Sequence, residues 1–228
     1  MRIAVLGTGV VGQTLAGKLA ELGNDVTVGT RDVDSLMART DPQPTGAPAF
    51  AVWLESHPGV SVAPFADAAA HGEIILVATS GTVAVDALRL AGQRNLDGKI
   101  VIDISNPLDF SSGFPPTLAV CNTDSIGERV QRAFPGARVV KTLNTVNAQV
   151  MVDPGAVGGG DHTLFMSGDD ADAKARVADL LREWFGWRSV VDVGDISTAR
   201  GLEMYLPLWL RLMGALETPA FNVKIVRD

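Results

Sequence analysis

The sequence has little cysteine and no excess of positive charge. Its single cysteine, Cys121, can form neither an internal disulfide nor a cysteine-cluster metal site. Such sparing use of cysteine is typical of a reducing compartment, and we expect a cytoplasmic protein. The 26 acidic and 19 basic residues give a net charge of -7, which nucleic acid would repel. We therefore expect no nucleic-acid partner.

Long apolar runs are also missing. The opening segment Met1–Leu6 is too short for a signal peptide and passes directly into glycines, so it is better interpreted as a strand. The most apolar late segment, Tyr205–Leu216, contains Pro207 and Arg211 and falls short of the ~20 residues that a bilayer crossing needs. We therefore expect no membrane partner.

The groups that usually perform acid–base chemistry are scarce as well. The three histidines, His57, His71 and His162, fall in predicted loops without an evident carboxylate partner, so we expect them to be solvated, and no pair has metal-ligand spacing. Lys141 and Asn144 are the polar residues nearest a predicted reaction centre, although hydrogen bonding within their loop explains them equally well. We therefore predict no metal site and assign no catalytic residue.

What the sequence does contain is an alternation of short apolar runs with helix-like stretches. The 228 residues are 46% hydrophobic and 20% charged, a composition typical of a globular domain with an appendage. Unbroken apolar runs of this length predict parallel strands covered on both faces. The predicted strands of the main sheet are Arg2–Leu6, Asp25–Gly29, Val60–Val62, Glu73–Ala78, Lys99–Ile104 and Arg138–Thr142. We predict an α/β fold, a Rossmann-type doubly wound parallel sheet with a small carboxyl-terminal α/β extension.

A G-x-G-x-x-G run lies between the first predicted strand and the first predicted helix. It reads Gly7-Thr8-Gly9-Val10-Val11-Gly12. In this context the first glycine permits a tight turn, the second admits a pyrophosphate, and the third lets helix and strand pack closely. A merely structural turn is the alternative, but the flanking strand and helix favour dinucleotide binding.

The end of the second strand predicts which dinucleotide is bound. An acidic residue there would accept hydrogen bonds from the ribose hydroxyls of NAD, but this strand ends in Thr30 and Arg31. Arg31 can pair with a 2′-phosphate and stack on adenine, and Thr30 can donate a hydroxyl hydrogen bond. Asp32 is the contrary feature, and the start of a helix is a normal place for a solvated aspartate. We therefore predict NADP.

Further cofactor contacts are expected where later strands end. The small polar residues Thr79, Ser80 and Gly81 follow the fourth strand, where the second phosphate and ribose would pass, and a helix cap is the alternative. Two more groups are predicted to meet the nicotinamide end, with a structural turn as an equal alternative; they are Asn106-Pro107 and Asn144.

At this point the sequence resembles the coenzyme F420-dependent NADP oxidoreductases. The resemblance rests on the glycine run, on Val28–Arg31, and above all on the three segments Ser167–Asp170, Asp192–Asp195 and Ala199–Glu203. It implies a hydride transfer between NADPH and an 8-hydroxy-5-deazaflavin. It also implies that the carboxyl-terminal part closes over the deazaflavin and helps form a homodimer.

The glycine-rich segment from Pro154 to Gly160 is predicted to be a flexible connection. We therefore divide the chain into an NADP-binding Rossmann domain over residues 1–153 and a small α/β part over residues 154–228 that completes the acceptor pocket and the dimer contact. The elements predicted beyond the connection are the strands Thr163–Ser167 and Ser189–Val193, the helix Asp169–Trp184, and a last helix from near Asp195 that Pro207 kinks.

The predicted function is an NADP-dependent oxidoreductase with a small-molecule redox partner. The resemblance implies that this partner is coenzyme F420, as hydride acceptor or donor. Two alternatives stay open from the residues alone. One is an NADPH-dependent reductase of a small imine, ketone or flavin, and the other is a non-enzymatic NADP sensor. Two segments look like additions that could cover the pocket, the proline-rich loop Asp41–Pro48 and the loop Leu108–Pro116.

Overall fold

A computed structural model of the chain describes residues 1–43 and 46–228, so Pro44 and Thr45 of the predicted proline-rich loop lie outside it. The strands are β1 (Arg2–Leu6), β2 (Asp25–Thr30), β3 (Val60–Pro64), β4 (Ile74–Val77), β5 (Ile100–Asp103), β6 (Leu108–Asp109), β7 (Thr117–Leu118), β8 (Arg138–Thr142), β9 (Thr163–Ser167) and β10 (Ser189–Asp192). The helices are α1 (Val10–Glu21), α2 (Val33–Met37), α3 (Phe50–Glu55), α4 (Phe65–His71), α5 (Ala84–Ala91), α6 (Ile126–Ala133), α7 (Ala148–Val152), α8 (Ala171–Phe185), α9 (Ala199–Met204) and α10 (Leu206–Leu216).

The main sheet has eight strands in the order β3-β2-β1-β4-β5-β8-β9-β10. The six neighbouring strands β3, β2, β1, β4, β5 and β8 are parallel to one another. This arrangement confirms the predicted doubly wound fold. The strand order reverses between β1 and β4, so a crevice opens at their carboxyl ends, where ligands of such sheets bind.

Alternate residues of the buried strands pack on opposite faces of the sheet. On one face Ile3 and Val5 join Leu15 of α1, while on the other face Leu6 packs with Leu88 of α5. Every residue of β4 and β5 is buried, because helices cover both faces. This double cover holds the carboxyl ends of the central strands in fixed positions.

The carboxyl-terminal part continues the same sheet. Strand β9 pairs antiparallel with β8, with Lys141 opposite Ser167, and β10 runs parallel to β9. The segment predicted to be a flexible connection forms two 3₁₀ turns, Pro154–Ala156 and Gly158–Gly160. The division of the chain near residue 153 stays a prediction.

The prediction that all three histidines are solvated is wrong for His162, which is 4% exposed. Its Nε2 lies 3.0 Å from the Pro154 carbonyl oxygen, and its Nδ1 lies 2.8 Å from the amide nitrogen of Asn222. The chain end, which returns to the start of β9, buries this ring. His71 was predicted to have no carboxylate partner, yet its Nε2 lies 3.3 Å from Asp25 Oδ1.

The last helix is divided at Tyr205 into α9 and α10, two residues before Pro207, where a kink was predicted. Helix α10 buries only Leu206 and leaves Leu208 and Leu216 more than half exposed. No helix in the residues that the structure describes has the length and apolar character to cross a bilayer.

Candidate active site

The glycine run forms the turn from β1 into α1, and its three glycines meet different surroundings. Gly7 has a φ of +129°, and a Cβ there would lie 2.6 Å from the Ala78 carbonyl oxygen. A Cβ on Gly12 would collide with the Gly7 carbonyl oxygen. A Cβ on Gly9 would meet only Gln43 Oε1, at 3.7 Å. Two of the glycines therefore allow the backbone to pack, whereas the space beside Gly9 is open for a ligand.

Two glutamines that were not predicted as site residues support this turn. The carbonyl oxygen of Thr8 accepts hydrogen bonds from Gln13 Nε2 at 3.3 Å and from Gln43 Nε2 at 3.2 Å. Both amide groups also donate to the Pro48 carbonyl oxygen. No side chain caps the amino terminus of α1 in the described structure, so its first amide groups are available to an anion.

Beside the glycine run lies a cavity of about 690 Å³ at the carboxyl edge of β1, β2 and β4. Half of the predicted cofactor-binding residues line it: Gly7, Thr8, Gly9, Thr30, Arg31, Thr79 and Ser80. The other predicted residues lie outside this lining: Val10, Val11, Gly12, Gly81, Asn106, Pro107 and Asn144. A larger cavity of about 810 Å³ runs along α1 and includes Val10 but no other predicted contact.

The β2 end of the cavity carries positive charge. Arg31 and Arg39 both line it, and neither forms an ion pair within residues 1–43 and 46–228. The carboxylate of Asp32 is engaged elsewhere, because its oxygens accept 2.9 Å hydrogen bonds from the backbone N–H and the hydroxyl of Ser35. These hydrogen bonds hold the pKa of Asp32 below its ordinary value. Asp32 is therefore the N-cap of α2, as its position in the sequence indicates.

Ser35 and Arg39 also line the cavity, although the sequence analysis did not select them. Of Arg31, Ser35 and Arg39, only Ser35 lies within α2, because Arg31 precedes its N-cap and Arg39 follows its C-cap. Helical spacing could therefore not have identified them, and α2 itself has only 5 residues.

The residues predicted at the nicotinamide end form a second cluster next to the cavity. Asn106 Nδ2 donates to the Asn144 carbonyl oxygen at 2.9 Å, and Asn144 Nδ2 donates to Asn106 Oδ1 at 3.0 Å. The Asn106 carbonyl oxygen accepts from the Gly81 N–H at 3.0 Å, which joins this pair to the loop after β4. Asn106 and Asn144 are therefore together, as the ends of neighbouring strands should be.

Lys141 is completely buried beneath this cluster and its ammonium group has three partners. Its Nζ lies 2.8 Å from Asp103 Oδ2, 2.8 Å from Glu203 Oε1 and 2.6 Å from the Ser105 carbonyl oxygen. Burial alone would lower the pKa of Lys141, but the two carboxylates outweigh it and raise that pKa. Lys141 therefore stays protonated and cannot act as a base. Lys141 was among the residues considered from the sequence, whereas its partners Asp103 and Glu203 were not predicted.

Several buried polar atoms near the site have no hydrogen-bond partner in the described structure. They include Thr79 Oγ1, Asn144 Oδ1 and Thr145 Oγ1. Such atoms are uncommon in folded proteins unless a ligand or water satisfies them. Together with the open space at Gly9 and the free amide groups of α1, they show that these residues fit a dinucleotide with phosphates at the glycine run.

Comparisons with known proteins agree with this geometry. Residues 2–107 match the family described as NADP oxidoreductase, coenzyme F420-dependent. The chain is 28% identical to the F420-dependent NADP reductase of Methanothermobacter marburgensis, over 93% of this chain and 92% of that protein.

The chain also resembles solved structures. It is 58% identical to a protein from Arthrobacter sp. FB24 that is provisionally named an F420-dependent NADP reductase, with a TM-score of 0.95 and complete coverage of both chains. A reductive aminase from Aspergillus terreus, solved with NADPH and ethyl levulinate, shares the fold at 19% identity and a TM-score of 0.63, over 94% of this chain and 62% of that one. The chain belongs to the F420-dependent NADP oxidoreductase family and is an NAD(P)-dependent oxidoreductase.

Proposed function

We propose that the protein transfers a hydride between NADPH and an 8-hydroxy-5-deazaflavin of the coenzyme F420 type. The observation that carries the proposal is the cavity at the glycine run, whose β2 end presents Arg31 and Arg39. The proposed place for the nicotinamide is the Asn106–Asn144 pair, which the Gly81 N–H joins to the loop after β4 beside the cavity. The name of the matched family and of the archaeal relative supports the deazaflavin as partner.

The preference for NADP over NAD follows from the charges around β2. A 2′-phosphate placed there would meet two guanidinium groups that have no ion pair in the described residues. The one nearby carboxylate, Asp32, already accepts two hydrogen bonds from Ser35. An arginine–phosphate pair contributes about 1.5–3 kcal/mol, enough for a preference of tenfold or more.

The nicotinamide end is built from neutral hydrogen-bonding groups. When bound, NADPH supplies the hydride, and the task of the protein is to align the ring and exclude water. Asn144 offers the unpartnered Oδ1 and Thr79 the unpartnered Oγ1, which suit the amide group of the nicotinamide and the neighbouring ribose. The predicted contacts Gly81 and Pro107 would act through their backbone, because they fix the loops on either side of Asn106.

A flat aromatic acceptor suits the hairpin that follows Asn106 and Pro107. The predicted loop Leu108–Pro116 contains β6, which pairs with β7, and it presents Phe110 and Phe114 at 58% and 70% exposure. Aromatic rings so strongly exposed beside a site can stack on a planar ligand. This feature favours a deazaflavin over a small imine or ketone.

We also propose that the protein is a homodimer joined through α10. This helix leaves Leu208, Met213 and Leu216 uncovered or half-covered, although it is the most apolar late segment of the chain. Burying each such side chain would contribute about 1.5–3 kcal/mol. A second copy, seated on α10, would cover them and let the part over residues 154–228 complete the acceptor pocket.

Anaerobic mixing of the protein with NADPH and a panel of acceptors tests the proposed reaction. The panel contains an 8-hydroxy-5-deazaflavin, free flavins, and small imines and ketones, and the readout is the loss of nicotinamide absorbance. We expect oxidation with the deazaflavin alone. Oxidation with an imine, a ketone or a flavin instead would identify a different reductase, and binding without oxidation would identify a sensor.

A further inference from the structure

The buried lysine of the candidate site has a role that hydride transfer does not itself require. Lys141, Asp103 and Glu203, here called the ionic triad, are each 0–1% exposed. A buried ion cluster of this kind is seldom the most stable filling of its space, and apolar residues of the same volume often serve better. What the triad offers in return is fixed geometry.

The hydrogen bonds of the ionic triad form a closed ring with those of the Asn106–Asn144 pair, which is proposed to meet the nicotinamide. Lys141 Nζ donates to the carbonyl oxygen of Ser105, the residue before Asn106, at 2.6 Å. Asn144 Nδ2 donates to the carbonyl oxygen of Leu202, the residue before Glu203, at 3.2 Å. Because Asn106 and Asn144 are hydrogen-bonded to each other and Glu203 returns to Lys141, no member can move alone.

Two further sets of hydrogen bonds fix the carboxylates. Asp103 Oδ1 accepts from the N–H of Ser105 at 2.9 Å and from its hydroxyl at 2.6 Å, which sets the turn before Asn106. Glu203 accepts from the N–H groups of Ile126 and Gly127 at 2.9 and 3.1 Å. The triad therefore ties the end of β5, the end of β8, α6 and α9 to one ammonium group.

We propose that Lys141, with Asp103 and Glu203, is a positioning residue that holds the Asn106–Asn144 pair in place for the nicotinamide half of the cofactor. The inference rests on the proposed function, because it takes the nicotinamide to bind at that pair. The triad does not touch the cofactor in this proposal. Its influence ends at the nicotinamide, and the adenine half at Thr30 and Arg31 is independent of it.

The chain contains a control lysine next to the neighbouring strand β5. Lys99, at the start of β5, donates to the carbonyl oxygens of Ala69 and Gly72 at 2.7 Å each. It is a partly buried lysine whose ammonium group is also held by backbone carbonyl oxygens, but it lies at the amino edge of the sheet, away from the cavity. Lys99→Met should therefore lower stability without altering cofactor contacts.

The test compares two ligands, NADPH and 2′,5′-ADP, the second of which lacks the nicotinamide half. Their dissociation constants are measured by titration calorimetry for the native protein and for Lys141→Met, Lys99→Met and Asn144→Leu. We expect Lys141→Met to raise the dissociation constant of NADPH about tenfold, equal to ~1.4 kcal/mol, and to leave that of 2′,5′-ADP within about twofold of the native value. Lys99→Met should leave the ratio of the two constants unchanged.

Glu203→Gln keeps the shape of the side chain and provides the same test if Lys141→Met does not fold. The inference is overturned if Lys141→Met and Glu203→Gln weaken the binding of both ligands equally, or of neither, while Asn144→Leu weakens the binding of NADPH alone. If Asn144→Leu also leaves the ratio unchanged, the nicotinamide binds elsewhere, and the proposed site fails together with the inference.

Discussion

At the scale of single residues, the glycine run shows how one motif combines packing and binding. Gly7 and Gly12 are required because backbone atoms approach too closely for any side chain. Gly9 has free space beside it in the folded protein. Only a bound pyrophosphate would make that position intolerant of a side chain.

We therefore expect Gly9→Val to affect cofactor binding alone and Gly12→Val to affect both cofactor binding and stability. Gly9→Val should abolish NADPH binding and leave the far-ultraviolet circular dichroism and melting temperature near those of the native protein. Gly12→Val should lose both binding and stability, because its side chain collides with the turn. Undiminished binding by Gly9→Val would mean that the run is only a structural turn.

Arg31 is expected to discriminate between the two nicotinamide cofactors. Arg31→Ala removes one charge-assisted pair of about 1.5–3 kcal/mol, so NADPH should bind about ten- to hundredfold more weakly. NADH, which has no 2′-phosphate, should bind as before. The exposed Arg94, which does not line the cavity, provides the control Arg94→Ala. If the binding of NADPH and NADH weakens equally in the titrations, the assignment of Arg31 to the 2′-phosphate is contradicted.

At the scale of elements, the motif Ala199–Glu203 joins the carboxyl-terminal part to α6. Arg200 Nε lies 2.9 Å from Glu128 Oε2, and Glu203 caps the first amide groups of α6. Ser125 is the N-cap of α6: the Glu128 N–H donates to Ser125 Oγ at 3.1 Å, and the Ser125 hydroxyl donates to Glu128 Oε2 at 2.8 Å. The segment on which the family resemblance most depends therefore acts as a clamp between two helices.

This clamp should make stability depend on pH. The hydrogen bond from Arg200 is the main cause that holds the pKa of Glu128 below its ordinary value of 4.5. The stabilisation is therefore present above about pH 4.5 and is lost as the pH falls through the lowered value. Glu128→Gln should lower the melting temperature at pH 7, and its difference from the native protein should shrink in acid.

The exposed pair of Arg176 and Glu183, 3.8 Å apart, provides the control for that measurement. Glu183→Gln should have little effect at any pH, because exposed ion pairs contribute little. If the melting temperature of Glu128→Gln stays below that of the native protein by the same amount down to pH 3, the assignment of the pH dependence to Glu128 is contradicted.

The strands could be predicted from the sequence because each is a short apolar run bounded by turn residues. All eight strands of the main sheet lie within a few residues of their predicted positions. The helices α4, α6 and α7 escaped prediction because they have 7, 8 and 5 residues, too few for clear periodicity. The antiparallel direction of β9 also escaped, because strand direction depends on long-range pairing.

The parts of the candidate site that could be predicted are those whose residues are adjacent in the sequence. The glycine run and Thr30-Arg31 are contiguous, and the structure brings them to one cavity. The partners of Lys141 could not be inferred, because Asp103 and Glu203 are 38 and 62 residues away in the chain and meet it only through the fold. His162 was misjudged for the same reason, since its partner Asn222 lies near the chain end.

At the scale of the whole molecule, the uncovered helix α10 predicts self-association. Leu208→Glu should convert the proposed homodimer into a monomer in sedimentation experiments, because a carboxylate would replace an apolar contact. Val52→Glu, at a position 50% exposed on α3, is the matched control and should leave the association unchanged. A native protein that sediments as a monomer at all concentrations would contradict the dimer.

The central proposal is a hydride transfer between NADPH in the cavity at the glycine run and a deazaflavin acceptor. NADPH deuterated at either face of the nicotinamide carbon tests it most directly, mixed anaerobically with the protein and an 8-hydroxy-5-deazaflavin. We predict that deuterium from one of the two labelled forms appears, one atom per molecule, on the ring carbon of the reduced deazaflavin. Reduced deazaflavin without deuterium from either form, or no reduction at all, would contradict the account.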